Sequence, residues 1–204
     1  MAAGLVGSEI LRIAAEIRDR IRAGESVCNL TVGDFASKHF PIPERLADAT
    51  RRALERGETN YPPSDGVLAL RQAVARFYER DLGLRYGTES ILIAGGARPV
   101  IYAIYRAVVD PGDVVVYPVP SWNNNHYCHM VNARGVPVPT SPVTAFMPTR
   151  VALEPHVRQA RLVCLNTPLN PTGTAIEPDV LREICTTIVE ENLRRERDGE
   201  RPLY

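Results

Sequence analysis

The run Leu162-Val163-Cys164-Leu165, followed by Asn166-Thr167-Pro168-Leu169-Asn170-Pro171-Thr172-Gly173, leaves the chain few options. Four apolar residues in a row read as a buried strand. Pro168 and Pro171 then exclude both a helix interior and the middle of a ladder. Asn-Pro favours turn initiation, and Gly173 lets the chain swing away. The stretch is therefore a rigid loop at the carboxyl end of a strand, the edge of an open α/β sheet where ligands bind. Asn170 stands there with an amide that both donates and accepts. A plain strand-to-helix connection uses the same residues, so the reading depends on what lies upstream.

Upstream, strands and helices alternate. Ile10, Ile13, Ala14, Ile17 and Ile21 recur at helical spacing after Ser8, a good N-cap, and Gly24 stops the run. Residues 29–32 read as a short strand broken by Gly33-Asp34. Phe40-Pro41-Ile42-Pro43 is extended, and Pro43 suits the first position of a helix carrying Leu46, Ala49, Ala53 and Leu54. The turn-rich loop Asn60-Tyr61-Pro62-Pro63-Ser64-Asp65-Gly66 leads into a helix with Leu70, Val74, Phe77 and Tyr78 on one face, closed at Gly83. Residues 90–94 read as a strand, 97–109 as a helix, 114–117 as a strand. Trp122 opens a further segment of helical character; 135–138 and 161–166 read as strands and 178–197 as a charged helix. Pro202-Leu203-Tyr204 reads as the start of another strand. This alternation predicts a mostly parallel α/β sheet with helices on both faces, incomplete at its carboxyl end. The Pro-rich stretch predicts a boundary that separates residues 1–42 from 43–204, and the unfinished final strand predicts the front part of a longer protein.

Composition narrows the function. The 204 residues carry a formal net charge of zero, with no block of like charges, which gives no electrostatic hold on nucleic acid or an anionic membrane. No apolar run reaches membrane-spanning length. Cys28, Cys128, Cys164 and Cys185 are scattered without a C-x-x-C pair and read as free thiols in a reducing cytosol. His126-Tyr127-Cys128-His129 lacks a second ligand pair at zinc spacing, so no metal is expected. Glu9, Glu16 and Asp19 among the N-terminal arginines argue against a signal or transit peptide. Lys38 is the only lysine. Arginine stays protonated and cannot replace it as an amine nucleophile.

Several residues can carry chemistry. Gly95-Gly96-Ala97-Arg98 lies between a strand and a helix. It is either a tight turn or a phosphate cradle in which small residues admit an anion to the helix N-terminus. It matches neither the Walker loop nor the dinucleotide fingerprint. Trp122, the only tryptophan, sits in a polar run after a Pro-bounded turn; its ring is either core or a platform for a flat heterocycle. Tyr61 either packs on its own prolines or offers its phenol to a phosphate, across a subunit interface. Gly33 ends a strand or offers a backbone N–H to a carboxylate.

Taken together these pieces resemble the class I/II aminotransferases, of the fold-type-I pyridoxal phosphate family. The matching motifs are Asn29-Leu30-Thr31-Val32-Gly33-Asp34, Tyr61-Pro62-Pro63-Ser64-Asp65-Gly66 with Leu70-Arg71, Gly95-Gly96-Ala97, Pro111-Gly112-Asp113, Pro120-Ser121-Trp122 and Asn170-Pro171-Thr172-Gly173. Each is weak alone; they run in family order over nearly the whole chain. The resemblance implies the α/β large-domain sheet of that family in residues 43–204, with residues 1–42 contributing to its small domain. It implies pyridoxal 5′-phosphate as cofactor, a homodimer, a cytoplasmic location, and transfer of an amino group between an L-amino acid and a 2-oxo acid. A lyase or synthase on the same scaffold, and a non-catalytic split subunit, remain alternatives.

By the same resemblance Gly96, Ala97 and Arg98 would hold the cofactor phosphate, and Trp122 would stack on its ring. Asn170 would donate to the ring's phenolic oxygen. Tyr61 would reach the phosphate in the neighbouring subunit, and Gly33 would lie near the substrate carboxylate. Arg98 departs from the small or uncharged residue often found there; it either adds charge to the phosphate site or points away. The family also uses an Asp facing the pyridine nitrogen, a Schiff-base Lys and an Arg for the substrate carboxylate. None of the three matches a position in this sequence. Lys38 falls where the family has no such lysine, so the chain alone is expected to be inactive.

Overall fold

The computed structural model describes residues 7, 9–31, 33 and 36–204. These fall into two compact units, one within residues 7–95 and the other spanning residues 96–204.

The first unit holds three helices, α1 (Glu9–Arg22), α2 (Glu44–Glu55) and α3 (Leu68–Leu82). The expected periodicities produced all three. The N-cap assigned to Ser8 lies outside the described residues. Pro43 is the N-cap of α2 and not its first helical residue. Their apolar faces are largely open: Leu11, Leu46, Leu54, Leu70 and Phe77 are all exposed.

Among the described residues of this unit, two expected strands do not form. Residues 29–31 are irregular, and Val32 lies outside the described residues. The Asn29 side-chain oxygen accepts from the Thr31 backbone N–H at 3.1 Å and from its hydroxyl at 2.6 Å. This local turn competes with a ladder for the same backbone. Over 90–94, a 3₁₀ turn at Thr88–Ser90 is followed by irregular chain. The Ile93 N–H there donates to the Asp65 carbonyl at 3.1 Å, so it binds a loop and not a strand.

The second unit carries α4 (Ala97–Val108), β1 (Val114–Val119), α5 (Asn124–Met130), β2 (Arg134–Pro139), α6 (Arg150–Val157), β3 (Ala160–Val163) and α7 (Pro178–Asp198). The three strands pair in the order β2-β1-β3, and both pairings are parallel. β1 is the centre, and its sequence Val-Val-Val-Tyr is apolar on both faces, as a strand covered from both sides requires. Val115 and Tyr117 pack with Tyr105 and Val109, from α4 and just past its end, and with Tyr127, Cys128 and Val131, from α5 and just past its end. Val114 and Val116 pack with Leu153 and Val157 of α6 and Ile184 of α7. Burying each such aliphatic side chain contributes roughly 1.5–3 kcal/mol before the entropy of ordering it.

Gly135 of β2 is a place where size matters: a Cβ there would sit 3.2 Å from the Tyr117 ring and 3.3 Å from the Cys128 sulfur. β3 is shorter than the predicted run of apolar residues: it ends at Val163, although the Cys164 N–H still donates to the Val116 carbonyl of β1 at 2.9 Å. The stretch 202–204 is not a full strand. However, Tyr204 donates to the Arg161 carbonyl at 3.1 Å and accepts from the Val163 N–H at 2.8 Å, the two bonds of a parallel pairing on the free side of β3.

Helix α6 has no counterpart in the sequence reading. Pro155 lies inside it and removes one helical hydrogen bond, which hides the pattern. Its other signals are present: the Thr149 side chain accepts from the Ala152 N–H at 3.3 Å, and Leu153 and Val157 are spaced one turn apart and buried.

Candidate active site

The topology marks one place on the sheet. β1 feeds α5, which packs on one face; its parallel neighbour β3 feeds α7, which packs on the other. The loops after β1 and β3 therefore leave the same carboxyl edge and diverge. Such a divergence is the topological switch point at which doubly wound sheets generally bind ligands. The first loop carries Trp122 and the second carries Asn170.

The Trp122 turn is tightly specified. Asn123 takes a left-handed conformation at φ 61°, which an asparagine tolerates well. Its carbonyl accepts from the His126 N–H at 3.0 Å to start α5. Asn124 is 7% exposed, and its amide nitrogen donates to the Ser121 hydroxyl at 2.9 Å. Its carbonyl oxygen accepts from the Tyr105 hydroxyl at 2.9 Å, and Tyr105 is 1% exposed. Burial pushes the Tyr105 phenol far above its ordinary range, with the neighbouring thiols adding to it. Burial also pushes the Cys128 thiol up to about 11 and raises the Cys164 thiol. All three stay protonated at neutral pH, so Tyr105 acts as a neutral donor and neither thiol is a nucleophile.

Trp122 itself is half-buried, and the Arg98 guanidinium lies 5.7 Å from the centre of its ring. That contact is worth about 0.5–1 kcal/mol at an exposed site. It brings the start of α4 to the turn after β1. The Arg98 side chain thus lies against Trp122.

The start of α4 is open. Gly96 is the N-cap, at φ 113°, with no side-chain cap, and Gly96, Ala97 and Arg98 are all exposed. A Cβ placed on Gly95 or Gly96 would meet nothing within 4 Å. The first backbone N–H groups of a 12-residue helix thus face open space, with the positive end of the helix dipole behind them. Pro99 supplies no N–H, which leaves those of Gly96, Ala97 and Arg98.

The Asn170 loop is held by its own backbone and side chains. The Asn170 N–H donates to the Asn166 side-chain oxygen at 3.0 Å. The Gly173 N–H donates to the Leu169 carbonyl at 2.7 Å, and the Leu169 N–H to the Thr174 carbonyl at 2.7 Å. The Ile176 N–H donates to the Thr167 hydroxyl at 3.0 Å. Leu169 is buried, while Asn170 is exposed.

Tyr61, Gly33 and Lys38 belong to the other unit. Tyr61 is fully exposed, so it does not pack on its own prolines. Its loop is pinned: Arg71 donates to the Asp65 carboxylate at 2.8 Å and to the Thr88 carbonyl at 2.9 Å. At Gly66, φ is 99° and a Cβ would fall 2.6 Å from that of Ile93, so only glycine fits. Gly33 and Lys38 are exposed, Lys38 within a turn. Among the described residues, no group of three or more His, Cys, Asp or Glu could hold a metal ion, and no helix is long and apolar enough to cross a membrane.

Tyr105, Ser121 and Asn124 were not singled out by sequence. The available signal was Tyr105, a phenol on the apolar face of a helix, since buried tyrosines need a hydrogen-bond partner. Nothing in the sequence says that the partner lies 19 residues on.

A parallel sheet with helices on both faces and loops diverging from its carboxyl edge defines a doubly wound α/β protein. The aminotransferase class I and II family model matches residues 25–194, and the chain belongs to that family. It is 36% identical over 179 residues to a probable aspartate/prephenate aminotransferase of Thermus aquaticus, covering 84% of this chain and 44% of that protein. It is 34% identical over 170 residues to an aspartate aminotransferase of Rhizobium meliloti, covering 82% and 41%. The structure resembles the aspartate aminotransferase of Thermus thermophilus solved with maleate, at TM-score 0.86 and 28% identity, over 94% of this chain and 50% of that one. It also resembles the Rhizobium meliloti aspartate aminotransferase, at TM-score 0.83 and 31% identity, over 92% and 47%. The chain spans about half the length of these relatives. The fold is that of the fold-type-I family, as its motifs implied, and the family is one that uses pyridoxal phosphate.

Proposed function

We propose that this chain supplies the cofactor-anchoring part of a pyridoxal 5′-phosphate-dependent aminotransferase that moves an amino group between an L-amino acid and a 2-oxo acid. The observation that supports this is the divergence of the loops after the parallel neighbours β1 and β3, which carry Trp122 and Asn170, with Arg98 from the start of α4 lying on the Trp122 ring. The residues fit the group: an uncapped helix N-terminus suits a phosphate, and a half-buried indole suits a flat ring.

When bound, pyridoxal phosphate supplies the electron sink that lets an amino group leave one carbon and join another. The chain's own residues bind and orient. The N–H groups of Gly96, Ala97 and Arg98 would hold the phosphate, and the helix dipole adds about 0.3–2 kcal/mol. Trp122 stacks on the ring, with Arg98 keeping positive charge nearby. Asn170 donates to the ring's oxygen. In the homodimer, Tyr61 donates to the phosphate bound by the second copy, and the Gly33 N–H meets the substrate carboxylate. No proton transfer is assigned to Lys38. In this reading residues 1–42 contribute to the small domain and 43–204 form the first part of the large one. The four free thiols suit a reducing cytoplasm, where the protein would serve amino-acid biosynthesis.

The test is to titrate pyridoxamine 5′-phosphate into the full chain and follow Trp122 emission. This ligand has no aldehyde, so it cannot react with Lys38 or the terminal amine. Saturable quenching that inorganic phosphate competes away is expected. Absence of quenching up to millimolar ligand would refute the reading.

A further inference from the structure

The hydrogen-bond chain beneath the Trp122 turn has a role beyond filling the core. Tyr105 donates to Asn124, and Asn124 donates to Ser121, the residue immediately before Trp122, each at 2.9 Å. Tyr105 stands on α4, the same helix whose first residues carry Arg98. One helix therefore touches the Trp122 turn twice, through the Arg98 guanidinium on the ring and the Tyr105 hydroxyl below it. Between the two contacts lie six residues of helix, so the spacing from the α4 N-terminus to the indole is fixed.

We infer that Tyr105 and Asn124 are positioning residues that set the indole of Trp122 at a fixed distance from the anion-binding start of α4. The chemistry accounts for the residue types. Asn124 is the one side chain in this network that accepts from a phenol and donates to a hydroxyl at once. Tyr105 reaches it from the core because a phenol puts its hydroxyl at the end of a long, stiff, apolar body. All three groups are neutral, and Tyr105 and Asn124 are buried, so neither salt nor pH near neutrality loosens their bond. Its benefit rests on the proposed cofactor role of Trp122: a ligand with a phosphate at one end and a ring at the other binds best when its two supports are already spaced to match.

Trp122 is the only tryptophan, so its emission reports this turn directly. In the full chain, Tyr105→Phe and Asn124→Ala are expected to raise acrylamide quenching of Trp122. They should also weaken pyridoxamine 5′-phosphate binding roughly two- to tenfold, the worth of a hydrogen bond. Tyr117→Phe, at a buried tyrosine of the same core, is expected to leave both unchanged. Unaltered quenching in both folded variants, or an equal rise in Tyr117→Phe, would overturn the inference. Raised quenching with unaltered ligand affinity would support the positioning role and count against Trp122 as the stacking platform. If either variant loses cooperative unfolding, Ser121→Ala decides: a rise in quenching supports the inference and no rise overturns it.

Discussion

Arg195 gives the sharpest test of how the second unit is held together. The residue is 5% exposed, yet it is a cation, in the last turn of α7. It survives there because every donor finds a partner. Nε donates to Glu191 at 2.7 Å, and Nη1 to the Arg201 carbonyl at 3.2 Å. Nη2 donates to the carbonyls of Val157 at 2.9 Å, Arg158 at 3.1 Å and Ala160 at 2.8 Å. One guanidinium thus ties α7 to the corner where α6 turns into β3. Arg195→Met keeps the apolar stem and removes the fork. Removing one partner of a buried pair costs about 3–5 kcal/mol. Glu191 keeps Arg194 at 2.8 Å, which places this case near 3 kcal/mol, the lower end of that range. With a urea slope of about 1–3 kcal/mol per molar, the midpoint should fall by roughly 1–3 M, read by far-ultraviolet circular dichroism of the full chain.

Acid adds a second signature. Hydrogen bonds from Arg194 first, and then from Arg195, hold the Glu191 carboxyl down at about 2 against an ordinary value of 4.5. A lowered carboxylate stabilises the fold fully above its ordinary value and loses that contribution as pH falls from 4.5 through about 2. Stability of the parent chain should drop across that window, and less so in Arg195→Met. A loss under about 1 kcal/mol at neutral pH, with an unchanged acid profile, would show that Arg195 is a surface charge in solution and refute the argument.

Three further outcomes are expected. Trp122→Ala should weaken retention of pyridoxal phosphate up to about tenfold, from a stacking contribution of roughly 0.5–1.5 kcal/mol; unchanged affinity with collapsed thermal stability would make Trp122 a core residue. The chain incubated with pyridoxal phosphate and a panel of amino acids should form no 2-oxo acid above a free-cofactor control, because a positioned proton carrier typically contributes ~10²–10⁴-fold and Lys38 has no reason to face the ring. Turnover lost on Lys38→Ala would reverse that assignment. The complete protein should sediment as a dimer at micromolar concentration, since Tyr61 is fully exposed and offers its phenol outward; a monomer would count against its proposed role.

What the sequence determined by itself is local and periodic. Helices α1 to α4 and α7, the strand Val-Val-Val-Tyr and the Asn170 loop follow from apolar spacing, glycine stops and prolines, each acting within a few residues. The order of the motifs placed the chain in its family, because order survives where single motifs are weak. Where sequence reading failed, a distant or competing group had decided the outcome. Residues 90–94 look like a strand, but the Ile93 N–H is taken by Asp65, and residues 29–31 are turned by the Asn29 side chain. Helix α6 forms despite Pro155 because Leu153 and Val157 bury against the sheet. The divergence of the loops after β1 and β3 belongs wholly to tertiary structure. No spacing along the chain says that β1 and β3 are neighbours, that their helices depart to opposite faces, or that Tyr105 meets Asn124. Those contacts join residues far apart in sequence, and only the packing of helices on both faces of one parallel sheet brings them together.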